Sequence, residues 1–173
     1  MDAFERDGFE ATTVVRIAET AGVTAMTFFR HFPTKESVVV WDPFDPVIAQ
    51  AIAGQAGQGV SAVRATCRGI WSAWSAADAD VEPLARRRAA LVAATPTLRA
   101  AMWAGLADTE AAINTALRNV GYAQWESAAA AGACLGALTS VLLAWAVDGA
   151  GTDIGEAIRQ ALRGLDPEGV DRS

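Results

Sequence analysis

The chain contains few of the side chains from which enzymes commonly build an active site. Among its 173 residues there are one histidine, His31, and two cysteines, Cys67 and Cys134. His31 has no serine, cysteine or carboxylate arranged with it, neither cysteine lies in a pairing or metal-binding motif, and there is no glycine-rich phosphate loop. We therefore expect a protein without catalytic activity, metal or cofactor, whose two thiols stay reduced and buried.

Basic residues are also few. The chain has 14 lysines and arginines against 20 aspartates and glutamates, which gives a net charge of −6. This balance argues against a general nucleic-acid binder and leaves only contact through a limited patch. Asp2, Glu5 and Asp7 stand where a secretion signal would need basic and then apolar residues, so we expect a cytoplasmic protein.

One long stretch has no charge at all. Residues 127–147 are long enough to cross a membrane, and Gly132 and Gly136 have a spacing that lets helices approach closely. The first half of the stretch is mostly alanine, which favours lipid only weakly, and Thr139 and Ser140 interrupt the second half. A helix buried on most sides within a protein accounts for the same pattern, so we expect no membrane span.

The composition favours an all-α fold. Alanine is abundant, strand-forming patterns are sparse, and the prolines cluster at a few joints. Pro43 and Pro46 should break the chain after the helix that begins at Thr34. Beyond the N-terminal motif, the expected helices cover about residues 34–41, 47–53, 60–77, 81–95, 96–121, 124–147 and 152–165.

Residues 12–35 have the pattern of a helix-turn-helix. Ile17 and Ala18 lie on the apolar stripe of a first helix, and Gly22 can adopt the left-handed conformation that ends it. Thr24 offers a cap to the next helix, and Phe28 anchors that helix in the core. Such a unit places its second helix in the major groove of DNA, although an ordinary helical hairpin is the alternative.

The same residues resemble the TetR family of transcriptional regulators. The matching positions are Gly8-Phe9, Thr13, Ile17-Ala18, Ala21-Gly22-Val23, Thr27 to Phe32, and Lys35. The resemblance implies a sequence-specific, ligand-responsive transcriptional regulator, in the first instance a repressor, which binds a double-stranded DNA operator. The DNA-contacting residues it implies are Thr13, Thr24, Ala25, Met26, Thr27, Phe29, His31 and Lys35. Two alternatives stay open, that His31 packs against Phe28 and that Lys35 is merely solvated.

This chain departs from the family pattern at its N-terminal end. Residues 1–7 correspond to only the last part of the family's first helix, and residues 1–46 hold four basic residues against eight carboxylates. Phe29 replaces a tyrosine that is common in the family. These departures predict modest affinity for DNA with a shallow salt dependence. A dimeric ligand-binding or interaction protein that keeps the fold but has lost DNA binding is therefore the alternative function.

The resemblance also divides the chain into a head, residues 1–41, and a body, residues 42–173. In the family, the body binds a small ligand, and its last two helices pair with those of a second copy to form a homodimer. Small residues from Ala128 to Ala137 suit such close helix contact, although burial within one subunit would suit them equally. Ligand binding would change the spacing of the two heads, which must reach major grooves about 34 Å apart.

The candidate ligand site consists of Trp71, Trp74, Met102, Trp103 and Trp145, which we expect to face inward; a plain core role is the alternative. Arg86, Arg87 and Arg88 form the one basic run and predict either a solvated helix face or a phosphate-binding patch. Residues 85–91 and 94–99 resemble an actinobacterial subgroup of the family, whose body is described as acyl-CoA-like ligand binding. This second resemblance implies an apolar or acyl effector.

Overall fold

The computed structural model describes residues 1–41, 45–57, 59–76, 81–148 and 151–166. Within these ranges the chain forms α-helices and no strand, which confirms the all-α class. The helices are α1 (Asp2–Asp7), α2 (Val14–Thr20), α3 (Ala25–His31), α4 (Lys35–Val40), α5 (Asp45–Gln55), α6 (Ala62–Ser75), α7 (Val81–Ala94), α8 (Pro96–Asn119), α9 (Gln124–Asp148) and α10 (Ile154–Leu165).

Threonine caps define where the short helices of the head begin. The side chain of Thr13 accepts a hydrogen bond from the amide of Arg16, and Thr24 accepts one from the amide of Thr27. Thr34 and Ser37 form a reciprocal capping box at the start of α4. Gly22, with φ of 69°, ends α2 in the predicted left-handed conformation. These caps fix α2 and α3 as the two arms of the helix-turn-helix.

The head has a small core that continues into the body. Ala18 and Phe28 are buried between α2 and α3, as predicted. Phe4, Phe9 and Val39 pack with side chains of α7 and α8 in one apolar cluster, which is completed by Val92 and Leu98. Because this cluster includes residues of α1, α4, α7 and α8, the head rests directly on the body.

The body core is built from α5, α6, α8, α9 and α10. α6 approaches α5 so closely that a Cβ atom on Gly69 would lie 2.6 Å from the backbone of Ile52. The sulfurs of Cys67 on α6 and Cys134 on α9 lie 3.8 Å apart, and both residues are fully buried. Reduced, buried thiols were predicted, but their proximity was not, because the two residues are 67 positions apart in the chain.

Three polar contacts hold the ends of the body helices. Arg64 binds Asp166 through two bonds of 2.7 and 3.0 Å, which joins α6 to the end of α10. Glu126 accepts a hydrogen bond from the amide of Ala62, one of the unpaired donors at the start of α6. The hydroxyl of Tyr122 donates to the carbonyl of Val60 at 2.9 Å.

The helix α5 begins earlier than the sequence predicted. The break after α4 was expected to last until residue 47, but α5 begins at Asp45 and Pro46 occupies its first turn. Proline is tolerated there because the first amides of a helix have no intrahelical partner. Pro43 lies outside the described residues.

Among the described helices, α9 has the length and composition of a membrane span, a test that buried helices of helical proteins also pass.

Candidate functional sites

The recognition helix α3 presents a partly apolar face to solvent. Met26 is 84% exposed and Phe29 is 53% exposed, whereas Phe28 is buried on the opposite side. Thr24 and Thr27 share a hydrogen bond of 3.0 Å between their hydroxyls at the first turn. Large apolar side chains held out in water by an ordered helix are typical of a surface that a partner covers. The structure therefore places Thr24, Met26 and Phe29 together at an accessible surface.

The remaining predicted contacts of the head divide into two groups. Thr13 and His31 are exposed, so they stand free for contact, and Ala25 and Thr27 are half-buried beside Met26. His31 does not fill the core. Arg30, also exposed and absent from the sequence-based set, adds a cation to the last turn of α3.

Lys35 has an internal role that the sequence did not reveal. Its ammonium donates a hydrogen bond of 2.8 Å to the carbonyl of Phe9 and lies 4.2 Å from the centre of the Phe9 ring. A cation bound to a carbonyl and to an aromatic face is already well solvated by the protein. In this arrangement Lys35 holds the turn after α1 against α4, so it is not merely solvated, and its phosphate contact stays a prediction.

Three acidic residues of the head, Asp2, Glu5 and Asp7, are paired with arginines. Asp7 is bound by Arg6 and Arg16 at 3.0 Å each. Asp2 and Glu5 are bound by Arg87 of the body. α3 itself carries no carboxylate. The net charge of the head therefore does not describe the charge of its exposed recognition helix.

A cavity of about 430 Å³ lies where the head meets the body. Residues of α8 and α9 form half of its described wall, and the last turn of α4 closes one side. The described lining residues are Ser37, Val39, Val40, Trp41, Ile48, Ala85, Arg88, Ala89, Val92, Met102, Gly105, Leu106, Asp108, Thr109, Leu135, Leu138, Thr139, Leu142, Leu143 and Ile154. A volume of this size is within the range of small-molecule sites.

The tryptophans predicted to form the ligand site lie elsewhere. Trp103 is 49% exposed, so its predicted inward position is wrong. Trp145 is buried and donates a hydrogen bond of 2.8 Å to the carbonyl of Thr152, which makes it part of the α9–α10 junction. Trp71 and Trp74 pack partly against the body core. Of the five predicted residues, Met102 alone is among the described residues of the cavity wall.

The sequence contains a partial signal for the residues that line this cavity. Met102, Leu106 and Thr109 follow one another at the spacing of one helix face on α8, and a similar face runs along α9. Trp41 was missed because the sequence predicted it inside the helix, whereas it follows the last residue of α4 in an extended conformation. Aromatic residues are prominent in a sequence, but their size alone does not say which buried surface they complete.

The three consecutive arginines bind three different parts of the protein. The guanidinium of Arg86 lies 3.9 Å from the centre of the Trp145 ring and donates to the carbonyl of Thr152 at 2.9 Å. Arg88 donates to the carbonyl of Val39 at 2.9 Å and also to that of Trp41. These bonds satisfy acceptors at the C-terminal end of α4, where a cation is favourable.

Arg87 joins the body to α1. It binds both carboxylate oxygens of Glu5 at 2.7 Å and also pairs with Asp2. The hydrogen bonds from Arg87 hold the pKa of each of these carboxyls below its usual range. The basic run is therefore neither a free solvated face nor a phosphate patch, because each arginine is engaged with a different element.

One face of α9 remains open. Trp125 at its start is 80% exposed, Val147 near its end is 68% exposed, and Ala129 and Ala133 between them are exposed as well. Residues 127–147 contain no charge. By contrast, the outer face of α10 carries polar residues such as Gln160 and Arg163. The open apolar surface therefore belongs mainly to α9.

Comparisons with known proteins agree with this architecture. The family model of bacterial regulatory proteins of the tetR family matches residues 1–40, and the MftR C-terminal domain model matches residues 60–168. No curated protein sequence matches the chain significantly.

Among solved structures, the chain is similar to Thermus thermophilus FadR, a TetR-family transcriptional repressor crystallised with lauroyl-CoA. The sequence identity is 20%, the TM-score is 0.49, and the match covers 95% of this chain and 88% of FadR. This likeness is too distant to transfer the ligand of FadR. The family models together cover most of the chain. The chain therefore belongs to the TetR family of bacterial regulatory proteins, and it is a DNA-binding regulator of transcription rather than an enzyme.

Proposed function

We propose that the chain is a homodimeric, ligand-responsive repressor that a small apolar or acyl effector releases from its operator. The observation that carries this proposal is the position of the cavity. Its wall includes Val39, Val40 and Trp41, which end the helix that follows the recognition helix. An effector in the cavity would touch α4 directly, so its binding and the position of the head depend on each other.

The operator contacts follow from the exposed surface of α3. Met26 and Ala25 would meet thymine methyl groups in the major groove, and Phe29 would cover neighbouring apolar edges. The side chains proposed to hold phosphates are Thr13, Thr24, Thr27, His31 and Arg30. Lys35 would contribute indirectly, because it positions the turn after α1. In this proposal the head is residues 1–41 and the body is residues 42–173.

The open face of α9 supports dimerisation. The exposed side of this 25-residue helix carries mostly small residues between Trp125 and Val147, such as Ala129, Ala133 and Ala144, which let a second helix approach closely. Association through α9, with the polar face of α10 at the rim, would remove this apolar surface from water in a cytoplasmic dimer. A dimer also gives the two recognition helices the two-fold relation that an inverted-repeat operator requires.

Arg88 would connect the cavity to the head. It lines the cavity and, at the same time, holds the carbonyls of Val39 and Trp41. A ligand that displaces the α7 wall would pull on the end of α4, and a ligand that displaces α4 would break these bonds. The arrangement in which Arg88 keeps its bonds to Val39 and Trp41 therefore corresponds to one position of the head, which we assign to the DNA-bound state.

Selection from a random-sequence DNA library tests the proposed function. We expect the purified protein to enrich an inverted repeat with half-sites one or more helical turns apart. Met26→Ala should relax the base preference at one position and cost about 1–3 kcal/mol of binding. Arg30→Ala should weaken binding to all sequences and reduce the salt slope by about one for each head.

Leu84→Ala is the matched control, since Leu84 is an exposed apolar residue of α7 outside the cavity wall and the head. It should bind the selected DNA as the wild type does. If folded, dimeric protein enriched no sequence at all, the proposal would fail. The alternative, an interaction protein of the same fold without DNA binding, would then be favoured.

A further inference from the structure

We propose that Thr109 and Thr139 form the polar recognition point of the cavity and that the effector carries an uncharged oxygen group there, a hydroxyl or a carbonyl. This inference rests on the proposed function, because it takes the cavity as the effector site. It adds the chemical class of the effector and the two residues that select it.

The two threonines come from different helices and line the same cavity. Thr109 lies on α8 and Thr139 on α9, and each is only 6% exposed. Around them the wall is formed by aliphatic side chains such as Leu106, Leu138 and Leu142. Two hydroxyls are thus placed in an otherwise apolar environment.

Neither hydroxyl has a hydrogen-bond partner in the described part of the chain. Buried hydroxyls of helices elsewhere in this protein donate to the carbonyl four residues earlier. Thr66 does so to Ala62 at 2.8 Å, and Ser127 does so to Ala123 at 3.0 Å. Neither oxygen is among the fully buried unpartnered atoms of the described residues, so both hydroxyls remain accessible from the cavity. A bound molecule with an oxygen group would take the place of cavity water as their partner.

The other polar groups of the wall explain why the recognised group is uncharged. The hydroxyl of Ser37 already donates to the carbonyl of Thr34 at 2.7 Å. Arg88 donates to the carbonyls of Val39 and Trp41 at the end of α4. Asp108 is exposed. Apart from Arg88, which is engaged by these carbonyls, and Asp108, most side chains around Thr109 and Thr139 are aliphatic, so a charged effector group there would be poorly solvated.

The cavity size limits the effector. The cavity volume of about 430 Å³ lies in the lower part of the range of small-molecule sites. A compact aromatic or medium-chain molecule with one oxygen fits this limit.

Two probes of nearly equal shape test the proposal. 2-Naphthol has a hydroxyl where 2-methylnaphthalene has a methyl group, and both are uncharged at neutral pH. Isothermal titration calorimetry should show that the wild-type protein binds 2-naphthol about tenfold more tightly, because one satisfied hydrogen bond contributes about 1 kcal/mol or slightly more. The double variant Thr109→Val/Thr139→Val keeps the side-chain shape and should lose the preference for 2-naphthol or reverse it, because the 2-naphthol hydroxyl would then be buried without a partner.

Two further variants separate the hydroxyl from the fold. Thr109→Ser/Thr139→Ser keeps both hydroxyls and should retain the preference for 2-naphthol. Thr115→Val, at an exposed position of the same helix, should behave as the wild type. Equal binding of both probes by the wild type would overturn the role of the threonines. If the wild type bound neither probe, the cavity would be rejected as the effector site. If the protein selected no DNA, the proposed repressor would be rejected, and the probe titrations would still decide the role of the threonines.

Discussion

At the scale of single residues, Cys67 and Cys134 show how burial controls reactivity. The hydrogen bond with Cys67, together with burial, raises the pKa of the Cys134 thiol. A thiol must lose its proton before it can attack a disulfide reagent, and neither sulfur is accessible. We therefore predict that both thiols react slowly with Ellman's reagent in the native protein and rapidly in denaturant. Rapid reaction of either thiol in the native protein would contradict the packing of α6 against α9.

The residue scale also shows which positions a sequence can assign. Thr24 and Gly22 were predictable because a helix cap and a left-handed turn depend on local backbone geometry. Met26 was predictable because the helix-turn-helix fixes which side of α3 faces outward. Lys35 was not predictable, since its partner is a carbonyl 26 residues earlier in the chain. Such a contact exists only once α1 and α4 are in place.

At the scale of helices, α5 and α6 approach each other closely at Gly69. Gly69→Ala would place a methyl group against the backbone of Ile52, which cannot move as a flexible side chain would. We predict a loss of about 1–3 kcal/mol in the free energy of unfolding, measured by urea denaturation. Gly54→Ala is the control, because nothing lies within 4 Å of its Cβ position. It should leave stability unchanged or raise it by up to about 1 kcal/mol, and equal effects of the two substitutions would contradict this packing.

The ion pairs of Arg87 predict a pH-dependent link between α1 and α7. Arg87 lowers the pKa of the carboxyls of Asp2 and Glu5, whose ordinary values are 3.8 and 4.5. Their contribution to stability is therefore present above these values and is lost as the pH falls through the lowered pKa. Urea denaturation should show Arg87→Ala less stable than the wild type near pH 6, with the difference shrinking below about pH 4.

The pairs of Arg87 are exposed, so the effect should be small and should weaken in high salt. Arg99→Ala, at an exposed position of α8, is the control and should show no such pH-dependent difference. A difference between Arg87→Ala and the wild type that grew at acid pH would contradict the assignment.

At the scale of the whole molecule, the proposed dimer depends on a face that is apolar but not bulky. Ala133→Asp would introduce a charge into the middle of the open face of α9, where association would remove it from water. We predict that sedimentation velocity shows a dimer for the wild type and a monomer for this variant. Ala104→Asp, at an exposed position of α8, should remain dimeric. A dimeric Ala133→Asp protein would place the interface elsewhere.

The sequence predicted the helical architecture of the whole molecule better than its cavity. Helix boundaries follow from local caps, glycines and prolines, so α6 to α10 lie within a few residues of their predicted ranges. The cavity is formed by residues from six helices and by Trp41, and its position depends on how those helices cross. A helical wheel treats each helix alone, which is why it placed Trp103 inside.

The three arginines of α7 also constrain how this protein can vary. Successive side chains on an α-helix point about 100° apart, so Arg86, Arg87 and Arg88 cannot all keep their partners if α7 rotates about its axis. Inserting or deleting one residue before Arg86 would turn all three away from their partners together. The register of α7 is therefore fixed by three unrelated neighbours, and length changes in this part of the chain should be accommodated outside the helix.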